Sequence, residues 1–271
     1  MIVPNYGNRG ILVGLLSGMR AVVVGIANKR SMAWGIAQAF DREGAELIVT
    51  YQSERLKENL DKLIPELSRP PQALPLDVTV NGSLEQFQAA MERLWPEGAQ
   101  VLVHSMAYAK REDLEGRFVD TSLDGYMVAQ NVSAYSLTAL SRAMLPSFER
   151  SGSGSVITLT YEGSTRVMPN YNVMGVAKAA LESSVRYLAM DLGKDRIRVN
   201  AISAGAVKTL AASGVKGIST ALHAVVEKAP IPENISIHDV GNAAVFLASP
   251  WSQRITGQIL FVDSGMHIMG I

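Results

Sequence analysis

Seven short apolar runs alternate with stretches of helical period along this chain of 271 residues. Residues 19–25 read M-R-A-V-V-V-G, a β-branched run closed by glycine, which predicts a buried strand. Residues 31–44 then predict a helix ending at Gly44. The same reading places strands at 46–50, 72–78, 100–104, 154–160, 197–202 and 258–262. Helices are expected at 53–67 (capped by Ser53), 84–95, 123–148 as one long element, about 170–192, and 237–247. Strands joined through helices must return in the same direction, so the chain predicts an α/β fold. Its core is a doubly wound sheet of about seven parallel strands with helices on both faces.

No internal repeat or linker interrupts this pattern, so residues 15–271 are expected to form a single domain. Residues 1–14 are expected to be a loose tail. The apolar run from Ile11 to Leu16 is too short for a signal-peptide core or a membrane span, so no membrane partner is expected. Lysine plus arginine equals aspartate plus glutamate at 25 each, and no basic run occurs, which argues against a nucleic-acid partner. The chain has no cysteine, which excludes disulfides and thiol nucleophiles and fits a reducing compartment. Its four histidines show no ligand spacing, and no metal site is expected.

In a parallel sheet of this kind, ligands bind beyond the carboxyl ends of the strands. The first strand end carries G-I-A-N-K-R-S-M-A-W-G over residues 25–35. It is not G-x-G-x-x-G, but it meets the same physical need. Gly25 and Ala27 keep the turn small. Ser31 suits an N-cap, and the helix start it introduces, continuing through Met32, offers N–H groups to a pyrophosphate. After the second strand, Gln52 can bond ribose hydroxyls, while Arg55 lies close enough to favour a 2′-phosphate. After the third, Asp77 and Val78 could hold an adenine. After the fourth, Ser105, Met106 and Ala107 leave room for a cofactor. These residues predict a nicotinamide dinucleotide site, with NADH favoured over NADPH because Gln52 brings no charge.

Residues 161–178 read Y-E-G-S-T-R-V-M-P-N-Y-N-V-M-G-V-A-K. If the helix begins near Asn170, Tyr171 and Lys178 lie two turns apart. Seven steps of about 100° bring them to the same face. A phenol beside an ammonium can donate a proton or a strong hydrogen bond to a developing oxyanion.

These blocks together resemble the NADH-dependent bacterial enoyl-acyl carrier protein reductases of the short-chain dehydrogenase superfamily. Ordinary members of that superfamily carry Y-x3-K, whereas here the fourth residue after Tyr171 is Gly175. The enoyl reductases carry Y-x6-K with a second tyrosine ten residues upstream, which Tyr161, Tyr171 and Lys178 match. Residues 169–178, 198–205, 209–213 and 239–242 are also similar, and the likeness runs from about residue 15 to the end. It departs at Ala206, Ile218, the segment 105–108 and Ser264.

The resemblance implies a Rossmann-type fold and reduction of trans-2-enoyl-acyl carrier protein thioesters in type II fatty acid elongation. Lys178 would hold the nicotinamide ribose, and hydride would pass to C3 of the substrate. Tyr171 would stabilise the enolate, with Tyr161 at the substrate's side. Ala204, Gly205, Val207 and Thr209 would complete the cofactor site. Ala109, Met174, Ala211 and Ile218 would join the two tyrosines around the acyl chain. A lid is expected near 207–230, closing over cofactor and substrate. Docking of the acyl carrier protein, a homotetramer and a cytoplasmic location are implied as well. The alternatives are a 3-oxoacyl (carbonyl) reductase on the same fold, against which the missing Y-x3-K stands, and a non-catalytic NAD-binding regulator.

Overall fold

The computed structural model describes residues 14–207, 209 and 218–270. The expected tail falls almost wholly outside them, as does most of the loop segment of the expected lid. The seven strands are β1 (Arg20–Val24), β2 (Glu46–Tyr51), β3 (Gln72–Pro75), β4 (Val101–His104), β5 (Gly154–Thr160), β6 (Ile197–Ala204) and β7 (Ile259–Val262). They form one sheet in the order β3-β2-β1-β4-β5-β6-β7, and every pair is parallel. Successive strands step outward from β1 to β3, then the chain crosses to β4 and steps the other way. The reversal between β1 and β4 is a topological switch point, and ligands of such sheets bind beyond the carboxyl ends of the strands there.

The helices are α1 (Met32–Arg42), α2 (Glu54–Leu63), α3 (Ser83–Leu94), α4 (Leu123–Gln130), α5 (Ser136–Ser151), α6 (Asn172–Leu192), α7 (Ile218–Lys228) and α8 (Ile237–Ala248). Each face of the sheet buries its own apolar cluster. On one face Trp34, Ile36 and Phe40 of α1, Leu60 of α2 and Val240 of α8 pack on Val23, Val49 and Ile202. On the other, Phe87 and Met91 of α3, Leu137 and Met144 of α5, and Leu181 and Val185 of α6 pack on Val22, Leu102 and Val156. Each such side chain contributes roughly 1.5–3 kcal/mol, so these buried faces, rather than exposed ion pairs such as Lys57–Asp61, hold the fold. Helices α1 and α8 touch backbone to backbone. A Cβ on Gly35 would lie 2.3 Å from the Ile237 oxygen, and one on Gly241 would lie 2.6 Å from the Gly35 oxygen.

Four local expectations need correction. Strand β3 ends at Pro75 rather than at residue 78. The chain turns at Asp77, whose Oδ1 accepts from the N–H (2.9 Å) and hydroxyl (2.6 Å) of Thr79. The expected helix at 53–67 ends as α2 at Leu63 and closes in a 3-10 turn holding Pro65, and Ser53 makes no side-chain cap bond. The expected helix at 123–148 is two helices separated by a π turn, Asn131–Tyr135. The π turn inserts one residue per turn and re-aims its side chains. Ser133 there accepts from Tyr108 N (2.9 Å) and donates to Tyr108 O (3.0 Å), tying the turn to the segment after β4. Ser31 is the fourth case and belongs to the site.

Candidate active site

The turn after β1 explains its own glycine. Gly25 has φ +102°, and a Cβ there would lie 1.8 Å from the carbonyl oxygen of Ser105. The amide of Ser105 donates to the oxygen of Val24 at 3.1 Å, so the ends of β1 and β4 abut. No side chain fits between them.

Ser31 stands at the N-cap of α1, as the sequence suggested, but its side chain makes no cap bond. Its hydroxyl accepts from the N–H groups of Ala27 (3.1 Å) and Asn28 (3.0 Å), bracing the loop behind it. The reason is competition: the folded-back loop brings its own N–H groups to the hydroxyl. The first turn of α1 is thereby left without an acidic residue or a side-chain cap. The amides of Trp34 (3.0 Å) and Gly35 (3.3 Å) bond the Ser31 oxygen, while the N–H groups ahead of them, on Met32 and Ala33, and the positive end of the helix dipole favour an anion such as a pyrophosphate.

Beyond β2 and β3, the side-chain amide of Gln52 donates to Asp77 Oδ2 at 3.0 Å. The two residues thus form one polar edge on the side of β1 away from Tyr171. Hydrogen bonds from Thr79 and Gln52 overcome partial burial and hold the Asp77 carboxyl below its usual range. Val78 and Met106 pack on one core cluster and Met32 on the other, while Ala107 is exposed. Ala204 is buried at the end of β6, and Gly205 donates to Val262 O at 2.9 Å. Thr209 is buried and its amide meets Val207 O at 2.7 Å. Ala211 lies outside the described residues, and Ile218 opens α7.

Tyr161 follows directly on β5, and Tyr171 stands at the start of α6, after Asn170 at φ +60°. Their rings meet edge to face, with centroids 5.2 Å apart and planes at 72°. Such a contact fixes ring orientation and contributes about 0.5–1.5 kcal/mol. Neither phenol hydroxyl makes a hydrogen bond among the described residues. Burial, and then the charge of Glu162, pushes the Tyr161 phenol up to about 12. Burial, and then Tyr161, pushes the Tyr171 phenol above its ordinary value. Both are proton-bearing phenols at neutral pH. Val173, Met174, Ala177 and Ala129, with Ala109 and Leu114, form an apolar cluster against the Tyr171 ring. Three of the expected substrate residues, Ala109, Met174 and Tyr171, therefore meet.

Lys178 is buried, 6% exposed, and donates to the carbonyl oxygen of Leu159 in β5 at 2.8 Å. Burial lowers it to about 8, opposed by the negative charge of Glu182. His104, at the end of β4, is wholly buried between Ser136 and Thr158, at 2.8 Å from each. Ser136 spends its proton on Val132 O (2.7 Å), so it accepts from His104 Nε2–H, and Nδ1 accepts from Thr158. Burial, and then Lys178, holds the ring neutral, down at about 3.

Sequence reasoning missed Glu182, His104 and Gly163 as parts of this region. Glu182 stands four residues after Lys178 on the same helix, and that spacing was the available signal. Gly163 had none: a Cβ on it would lie 2.6 Å from the Tyr171 ring, a contact made only in the fold.

A family profile described as Enoyl-(Acyl carrier protein) reductase matches residues 25–267. The chain is 44% identical over 259 residues to the NADH enoyl-[acyl-carrier-protein] reductase FabI of Aquifex aeolicus, covering 96% of this chain and 95% of that one. It is 47% identical over 259 residues to the Bacillus cereus protein of the same name, covering 94% of this chain and 99% of that one. The crystal structure of the Bacillus cereus enoyl-acyl carrier protein reductase with NADP+ and indole naphthyridinone is similar at a TM-score of 0.90 and 47% identity, over 95% of this chain and 100% of that one.

Proposed function

The chain belongs to the enoyl-(acyl carrier protein) reductase family, and from that premise we propose how its own residues perform the reduction. It is an NADH-dependent oxidoreductase that reduces the enoyl double bond of an acyl carrier protein thioester in fatty acid synthesis.

The residues around the strand ends suit the dinucleotide. The acid-free first turn of α1, which has no side-chain cap bond, fits a pyrophosphate, with Gly25, Ala27, Ser31 and Met32 beneath it. The Gln52–Asp77 edge, with Val78, fits the adenosine. Lys178 supplies the positive charge for the nicotinamide ribose, with Ser105, Met106, Ala107, Ala204, Gly205, Val207 and Thr209 around the remainder. When bound, NADH would supply the hydride that adds at C3 of the enoyl thioester, and a proton taken up at C2 would complete the saturated acyl product.

Tyr171 donates a hydrogen bond to the thioester oxygen as that oxygen gains enolate charge. A phenol kept protonated among apolar side chains holds this donor ready without reorganisation. Tyr161 orients Tyr171 through the edge contact and walls the acyl pocket. Ala109 and Met174 complete that wall. The observation that carries this reading is the Tyr171 ring set among apolar side chains and the buried Lys178, at the start and along the body of one helix at the sheet's carboxyl edge.

The same reading takes residues 15–271 as one catalytic domain, with 1–14 outside it. It takes the protein as a cytoplasmic homotetramer that docks acyl carrier protein. No described helix is long and apolar enough to cross a membrane. Met127, Tyr135, Tyr187 and Met190 expose apolar surface on and between α4 and α6 that suits subunit pairing.

Loss of NADH absorbance with crotonyl-CoA, against acetoacetyl-CoA, tests the reaction. Turnover of crotonyl-CoA alone is expected, and turnover of acetoacetyl-CoA alone overturns the reading. NADPH in parallel should turn over more slowly than NADH.

A further inference from the structure

Lys178 and Glu182 are both buried on α6, 6% and 7% exposed, one helical turn apart and so on the same face. Each is tied to the end of the same strand. Lys178 Nζ donates to Leu159 O at 2.8 Å, and Glu182 Oε1 accepts from Thr160 Oγ1 at 2.7 Å. These anchors are consecutive residues of β5. A buried carboxylate is costly unless something compensates it, and the mechanism above does not use Glu182.

We propose that Glu182 is a positioning residue for the cofactor site. Anchored by Thr160, its carboxylate keeps the Lys178 ammonium, one helical turn away, in its charged form. The inference rests on the reading that Lys178 holds the nicotinamide ribose.

The other groups around Lys178 cannot do this. His104, from β4, is neutral in its bonds to Ser136 and Thr158 and brings no negative charge. Leu159 and Thr160, from β5, are uncharged. Burial drives the ammonium toward its neutral form, and the charge of Glu182 is what opposes it. Without that charge, the lysine loses its proton at a lower pH. One unit of displacement changes the charged fraction up to tenfold.

The test is the dissociation constant of NADH, followed by fluorescence between about pH 6 and about pH 9.5, on the full chain without substrate. Glu182→Gln keeps an oxygen for Thr160 and removes the charge. Its NADH affinity should match the parent near pH 6 and be about three- to tenfold weaker near pH 8. Glu182→Asp should restore most of the parent profile. Weakening by the same factor at every pH, or no weakening, overturns the proposal. Should Glu182→Gln fail to fold, Thr160→Val releases the carboxylate instead and should move the profile the same way. An unmoved profile there also overturns it. Lys178→Met separates the two readings. It should bind NADH weakly and without this pH dependence, and a parent-like profile in Lys178→Met refutes the role of Lys178 itself.

Discussion

A Cβ on Gly175 would stand 2.8 Å from the carbonyl oxygen of Gly163. Helix α6 therefore lies directly against the 3-10 turn Glu162–Ser164 that follows Tyr161. The position four after Tyr171 has no space for a side chain, and the site's cation comes from Lys178, seven residues on. Gly175→Ala must push the turn and the helix apart. Overpacking of this kind costs about 1–3 kcal/mol. Chemical denaturation should show a loss in that range. The ratio kcat/KM should fall further than stability alone explains, because the Tyr171 ring also rests on Gly163.

Tyr171→Phe removes the proposed donor while keeping the ring contact with Tyr161. The value of kcat should fall roughly 10²–10³-fold, and NADH affinity should stay within about twofold. Tyr161→Phe keeps the edge contact and should cost about tenfold or less. An equal loss in both variants would mean that Tyr161 takes part in the proton step. Because burial raises both phenols, no alkaline limb from either tyrosine should appear in the kcat profile below about pH 10.

His104 makes the fold acid-sensitive. Its folded value, about 3, lies below the ordinary 6.5. As pH falls below 6.5, the unfolded chain takes up a proton that the folded chain refuses. The stabilisation present above that pH is lost on the way down to about 3, at up to about 1.4 kcal/mol per unit. Urea midpoints measured across this window should fall steeply for the parent. They should fall more gently for His104→Gln, which can still bond Ser136 and Thr158.

Arg166 fastens the C-terminal segment to the loop bearing the tyrosines. Its guanidinium donates to Met269 O at 3.2 Å and to His267 O. Beneath that segment, Asp263 accepts from the amides of Gly265 (3.0 Å) and His267 (2.8 Å). Arg166→Ala should raise amide exchange at residues 266–270. The bonds are solvent-exposed, so the global stability loss should stay near about 1 kcal/mol. Arg166→Lys, with a point charge in place of the fork, should recover part of the protection.

Much of the site was legible along the chain because its parts are local. Gly25 follows a β-branched run, Gln52 and Asp77 follow others, and Tyr171 and Lys178 share one helical period. The misreadings share a cause. Ser31 looked like a cap, but its hydroxyl met nearer donors once the loop folded back. Residues 123–148 looked like one helix, but Ser133 had to reach the backbone of Tyr108, 25 residues away, and the π turn lets it do so.

Alone, the sequence determined the alternation of strands and helices, the parallel sheet that follows from it, and the spacing of Tyr171 and Lys178. Periodicity and turn chemistry act over a few residues and need no partner. The tertiary structure decided the rest. It placed β4 beside β1, so that Ser105 excludes any side chain at Gly25. It set Tyr161 edge-on to Tyr171, and closed His104, Thr160 and Glu182 around Lys178. Contacts such as His104–Thr158 join residues 54 apart. Only the crossovers of the chain choose such pairings, and only burial in the finished core shifts the protons these residues hold.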